Sequence, residues 1–166
     1  MEMLQFPLLR EDQIEVRVGQ DRGVGKGCSL LLYKDARCDM AILDKAVGPE
    51  NWQRKHYECK GNLFCSVGIR FPDGWVWKDD CGAETNVEKE KGEASDSFKR
   101  ACFCWGIGRE LYTAPFLWVK DPERGGNGKI IDSFYVEKIA YDDAGMISGL
   151  AIKSRKSGKR VIVWQR

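Results

Sequence analysis

The stretch from Val87 to Tyr112, VEKEKGEASDSFKRACFCWGIGRELY, limits what the rest of the chain can be. Ala94, Phe98, Ala101, Cys102 and Trp105 recur at i, i+4, i+7, i+8 and i+11, which gathers them on one face of a helix. Glu88 and Glu90 fall in its first turn, where negative charge suits the helix dipole. Gly106 and Gly108 follow the last apolar residue and stop it. Lys99 and Arg100 lie off the apolar stripe, about 100° apart on the helical wheel, so they face solvent or a ligand. A helix with one apolar face needs a partner surface, and the segments upstream supply it.

Trp52–Lys60, Leu63–Phe71 and Trp75–Asp80 read as three strands. The turns between them, Gly61-Asn62 and Pro72-Asp73-Gly74, hold residues suited to positive φ or to a preset φ. The spacing predicts an antiparallel meander with the long helix packed across it. Earlier, Ile14, Val16 and Val18 alternate with Glu15 and Arg17, a strand pattern within Glu11–Val18. Ser29–Lys34 is a continuous apolar run, as in a buried strand. Asp35 can cap a helix over Ala36–Val47 with Met40, Leu43 and Val47 on one face, ended by Gly48-Pro49. Thr113–Gly128 is a loop whose Phe116, Leu117 and Trp118 are expected to dock on the core. Phe134–Asp142, Ile147–Arg155 and Lys159–Gln165 form a second small meander, turned at Asp143-Ala144-Gly145 and Ser157-Gly158. The expected class is α+β, with a strand–helix–three strands–helix core plus a small C-terminal β-meander. A single domain over residues 1–166 is expected, with residues 129–166 as its added meander.

Composition bounds the chemistry. Hydrophobic residues make up 43% and charged residues 31%, the balance of a globular chain. Lys and Arg number 27 against 25 acids, a net charge of +2, so a basic surface must come from segregating charges. Gly19–Gly27, GQDRGVGKG, invites a phosphate-binding loop reading that fails: the motif needs Gly, four residues, then Gly-Lys-Ser/Thr, and Lys26 is followed by Gly27. Seven cysteines with no CxxC pattern, and His56 as sole histidine, give no zinc signature. Free, mostly buried thiols in a reducing cytoplasm are expected instead. No apolar run is long enough for a membrane span, and Met1–Arg10 lacks the apolar region of a signal peptide. No cofactor and no metal are expected.

The acidic start, the small residues Gly92, Ala94 and Ser95, Asp96 with Lys99-Arg100-Ala101, and then an aromatic and a glycine turn resemble one family signature. It is the signature helix of the Rad-fifty-two-type single-strand annealing proteins. The likeness runs from about Leu8 to Tyr112: Arg17 in an early apolar segment, a glycine-rich loop, a strand ending in Tyr33, a helix ending at Gly48, and Trp52 opening the meander. After Gly125 the chain looks more like the phage branch, without the long partner-binding tail of eukaryotic members.

The resemblance implies a curved antiparallel sheet backed by a long helix, assembled as a ring or helical homo-oligomer with a basic groove. It implies ATP-independent binding of single-stranded DNA and annealing of complementary strands in recombination and repair. The partners it implies are single-stranded DNA, other copies of the chain and a single-strand-binding protein. The setting is cytoplasmic, within a bacterial host if the chain is phage-encoded. The family's groove residues carry over onto Arg17, Lys99 and Arg100; some members have a further arginine where this chain has Phe103. Lys26 in the glycine loop can reach a phosphate and Lys91 can line an outer rim of the groove, although a solvated lysine is the readier explanation of each. Lys153, Arg155, Lys156, Lys159 and Arg160 form a basic hairpin, explained equally by a second DNA contact or a solvated turn. Lys34 and Arg37 are expected to be solvated or at subunit contacts, and Trp75, Trp77 and Trp105 to pack in core or interface rather than stack on bases. Two other readings are weighed: a double-stranded-RNA-binding module, from the helix–three strands–helix order, and a metal-dependent nuclease using Asp73, Asp79, Asp80, Glu84 and Glu88.

Overall fold

A computed structural model of the chain describes residues 2–83 and 89–166, the side chains of 89–91 excepted. Among the described residues there are β1 (Glu15–Asp21), β2 (Cys28–Tyr33), α1 (Ala36–Val47), β3 (Trp52–Cys59), β4 (Asn62–Phe71), β5 (Gly74–Cys81), α2 (Lys89–Cys104), β6 (Leu117–Val119), β7 (Phe134–Tyr141), β8 (Ile147–Ser154) and β9 (Arg160–Gln165). The class is α+β, with antiparallel sheets of six and three strands. The chain divides into two compact units, Met1–Pro7 with Lys34–Arg109, and Leu8–Tyr33 with Glu110–Arg166.

The first unit holds β3-β4-β5 and both helices. Alternation along the strands separates two faces. Cys65, Val67 and Ile69 of β4 are buried, as are Phe98, Ala101 and Cys102 of α2, which packs across β4 and β5. Trp52 stacks on Phe98 at 6.0 Å between ring centroids, and Phe71 on Trp105 at 6.1 Å. The end of α2 is closed as the sequence predicts. Ile107 N–H reaches Cys102 C=O, Gly106 N–H reaches Phe103 C=O, and Gly106 has φ 95°, a Schellman closure. Gly108 is required for a second reason: its φ is 76°, and a Cβ there would stand 2.5 Å from Lys34 Cε. Asp35 caps α1 by accepting from Cys38 N–H at 2.8 Å. The buried stripe of α1 is Asp39, Ile42 and Leu43, so Met40 and Val47 are only half-buried, in contrast to the expected Met40–Leu43–Val47 face.

Lys34 corrects a second expectation. It is neither solvated nor at a surface: its side chain is 1% exposed and that of Asp39 is 0% exposed. Lys34 Nζ donates to both Asp39 oxygens at 2.6 and 2.7 Å and lies 4.1 Å over the Phe103 ring. Burial pushes the Asp39 carboxyl up to about 6, against the pull of Lys34. The sequence hides this because the partner ring comes from α2, far along the chain.

The second unit is the sheet β6-β2-β1-β7-β8-β9. The early strands therefore pair with the C-terminal ones: β1 lies antiparallel to β2 and, at Glu15–Tyr135, to β7. The sheet curves enough to bring its outer strands β6 and β9 near each other. Its core is Leu9, Ile14, Leu30, Leu117, Phe134, Val136, Ile147, Leu150 and Ile152. Of the three residues expected to dock, only Leu117 is buried; Phe116 is 79% exposed and Trp118 lies on the surface beside it. Gly145 and Gly158 take positive φ in the two anticipated turns.

Replacing Lys34 by Met strands a buried carboxylate and should cost about 3–5 kcal/mol in urea unfolding. Lys34→Met combined with Asp39→Leu should recover most of that loss. A single replacement as stable as the parent would show that the pair does not hold this packing.

Candidate nucleic-acid interface

In the first unit, α2 holds Lys99 and Arg100 beside its buried stripe, both half-buried. Arg100 Nε pairs with Asp96 Oδ2 one turn earlier, at 2.9 Å, and the same oxygen accepts Ala83 N–H at 2.8 Å. This anchors the guanidinium while its side chain stays 42% exposed. Lys99 has no ion pair among the described residues; its charge helps draw down the buried Asp39 carboxyl.

Two further cations belong to the same face of the sheet, and sequence reasoning did not single them out. Arg54 of β3 lies 4.7 Å over the ring of Phe98, the residue before Lys99. Lys78 of β5 lies 4.9 Å over the Trp105 ring and donates to Cys104 C=O at 3.3 Å. Arg109 donates to Phe103 and Cys104 C=O at 2.6 and 2.8 Å, so cations satisfy the negative end of α2. The signal was present in principle. Arg54 pairs with Val67, and Val67 with Lys78, so all three share a face once the register is known. Lys91 lies on α2, but its side chain falls outside the described residues, as do Glu84 and Glu88.

Arg17 and Lys26 belong to the second unit. Arg17 is exposed on β1, 5.5 Å from the Tyr33 ring. Lys26 is exposed in the loop between β1 and β2. That loop is tied down by Arg124, which donates to both Asp21 oxygens at 2.6 and 2.8 Å and to Lys26 C=O at 3.2 Å. The guanidinium holds the Asp21 carboxyl down at about 2.

Three of the hairpin's five cations are paired, two of them with one carboxylate. Lys153 and Arg160 both pair with Glu137, at 3.2 and 2.7 Å, and Lys156 pairs with Glu123 at 3.2 Å. Arg155 lies 4.9 Å over the Tyr135 ring, and Lys159 is exposed.

Of the carboxylates of the nuclease reading, the described ones, Asp73, Asp79 and Asp80, do not converge. Asp79 and Asp80 alternate on β5 and so point to opposite faces of the sheet, while Asp73 is in the turn before β5. Asp79 accepts from Tyr57 Oη at 2.7 Å and from Ser66 Oγ. Among the described residues no three His, Cys, Asp or Glu side chains are grouped to hold a metal. The seven cysteines are free, with Cys28, Cys65 and Cys102 buried and Cys59 exposed. No described helix is long and apolar enough to cross a membrane.

Over 100 residues, 58% of its length, the chain is 35% identical to the single-stranded DNA-binding protein DdrA of Deinococcus radiodurans. The match covers 48% of that protein, so the chain spans about half the length of this curated relative. No family model matches the chain, and no solved structure matches it.

Glu137 offers a direct check of the hairpin's charge pairing. Arg160, with Lys153, holds its carboxyl down at about 2. A depressed carboxylate stabilises the fold above its ordinary value, and that contribution is lost as pH falls through about 2. Carboxyl NMR titration should find Glu137 near that value, and Arg160→Ala should move it upward. An ordinary titration in the parent chain would refute the pairing.

Proposed function

We propose that this chain binds single-stranded DNA through its phosphates and anneals complementary strands, without nucleotide hydrolysis, in recombination and repair. The observation that carries the reading is the half-buried Lys99–Arg100 pair beside the buried stripe of α2, with Arg54 and Lys78 on the sheet face that α2 covers. The likeness to a protein named for binding single-stranded DNA supports it. Arg17, Lys26 and Lys91 are proposed as further phosphate contacts. The C-terminal hairpin has a lesser place, because Glu137 and Glu123 already occupy three of its cations.

An annealer must hold a strand yet leave base edges free to find a complement. Lysine and arginine on phosphates do this without reading sequence. Base pairing itself drives the reaction, so no hydrolysis is needed. Assembly of several copies is part of the proposal. The outer strands of the three-stranded sheet, β3 and β5, have no second partner among the described strands. An open strand edge of this kind offers a pairing template to a neighbouring chain.

Labelled complementary oligonucleotides should anneal faster with the protein, without ATP, and the gain should fade as salt rises. Binding to a single strand should lose about 0.7 log units of affinity per log unit of salt for each phosphate held. Lys99→Ala with Arg100→Ala should weaken binding by about tenfold or more at moderate salt and lower the salt slope, while circular dichroism stays unchanged. Normal affinity in that double variant would sink the assignment, strict ATP dependence would sink the mechanism, and preference for duplex RNA would favour a double-stranded-RNA module.

A further inference from the structure

The face of the three-stranded sheet turned away from α2 is aromatic and exposed. Alternation and register place Lys55 and Tyr57 of β3, Phe64, Ser66 and Arg70 of β4, and Trp75, Trp77 and Asp79 of β5 on it. Trp75 is 38% exposed and Tyr57 41% exposed. The rings form two sets. Trp75 and Trp77 have centroids 6.0 Å apart, and Tyr57 stacks on Phe64 at 5.5 Å. Trp77 lies down on the backbone of Gly68, where an added Cβ would stand 2.7 Å from its ring. A residue with a side chain at position 68 would lift that ring off the sheet. Of the tryptophans expected in core or interface, Trp105 packs on the other face against Phe71, Trp77 is half-buried against Gly68, and Trp75 stands open to solvent.

The charges on this face indicate what covers it. Lys55 Nζ lies 4.5 Å over the Trp77 ring, and Arg70 pairs in register with Trp75 and is exposed. The acid among them, Asp79, is already engaged by the hydroxyls of Tyr57 and Ser66. Hydrogen bonding to Asp79 pushes the Tyr57 phenol up to about 12, so it stays a donor and adds no charge. Open rings interleaved with cations match the stacking-plus-phosphate chemistry of single-stranded nucleic acid. A purely apolar partner would leave Lys55 and Arg70 without counterions, and an acidic peptide would leave the rings unused.

We propose that this face is a second contact for single-stranded nucleic acid, in which a base stacks on Trp75, which Trp77 props from beside it, and phosphates meet Lys55 and Arg70. It rests on the reading of the chain as a single-strand binder, and it differs in chemistry. The α2 cations hold a strand by its phosphates alone, whereas this face needs bases. The two lie on opposite sides of one sheet, so a strand bound here leaves the α2 side open to another.

The test compares oligothymidylate with an abasic phosphodeoxyribose chain of equal length, at fixed salt, on the full chain. The parent should bind oligothymidylate more tightly. Trp75→Ala should lose about tenfold on oligothymidylate and nothing on the abasic chain, while Trp75→Tyr, which keeps a ring, should retain most of the affinity. Equal affinity of the parent for both ligands would overturn the stacking contact and leave the phosphate grip standing. Failure to bind either ligand would overturn both. A Trp75→Ala variant that changes only its sedimentation, with base dependence intact, would assign the face to a second copy of the chain and refute the proposal.

Discussion

Everything in the first unit depends on one dry contact, between Phe98, Ala101 and Cys102 of α2 and Cys65, Val67 and Ile69 of β4. Burying a side chain such as Phe98 is worth about 1.5–3 kcal/mol, and the stacks of Trp52 and Trp105 at either end add to it. An isolated helix of this length is marginal in water. A three-stranded sheet with one face uncovered is not much better. Each makes the other stable. The small residues of α2, Ala94, Ser97 and Ala101, let the helix lie close, and burial of Cys102 among apolar groups pushes its thiol up, so it behaves as a core residue rather than a nucleophile.

That contact also determines where charge can go. With the apolar stripe of α2 facing β4, Lys99 and Arg100 are left on its flank. Arg54 and Lys78 reach the α2-covered face of the sheet from its two outer strands and lie over Phe98 and Trp105. Cations lying on rings keep their charge available to solvent, and so to an anion, while their stems exclude water from the core. Lys34 takes the opposite course. It is spent inside the fold on Asp39 and the Phe103 ring. A count of lysines and arginines therefore says little about which of them face solvent.

The second unit shows the same lesson with paired charges. Glu137 gathers Lys153 and Arg160, and Asp21 gathers Arg124. A linear run of basic residues near the C-terminus looks uniformly positive until the strand beside it is known, which pairs two of its cations with one carboxylate. Its acid comes from β7, which the sequence separates from the hairpin by a whole strand. Arg124, by contrast, sits in a stretch that reads as plain loop and turns out to tie the glycine-rich segment in place.

Local signals were legible where a residue's neighbours in sequence are also its neighbours in space. The α2 stripe, its Gly106 closure, the Asp35 cap and the turns at Gly61, Gly74, Gly145 and Gly158 all depend on a few consecutive residues. So did the α+β class and the placement of Lys99 and Arg100 beside the buried stripe. Pairing partners were not legible. The union of β1 and β2 with β7, the burial of Lys34, the exposure of Trp75 and the addition of Arg54 and Lys78 to the helix face all require the register between distant strands. Periodicity says which residues share a face of an element. It does not say which face another element will cover, because that choice is made by total burial across the fold, and only the tertiary structure contains it.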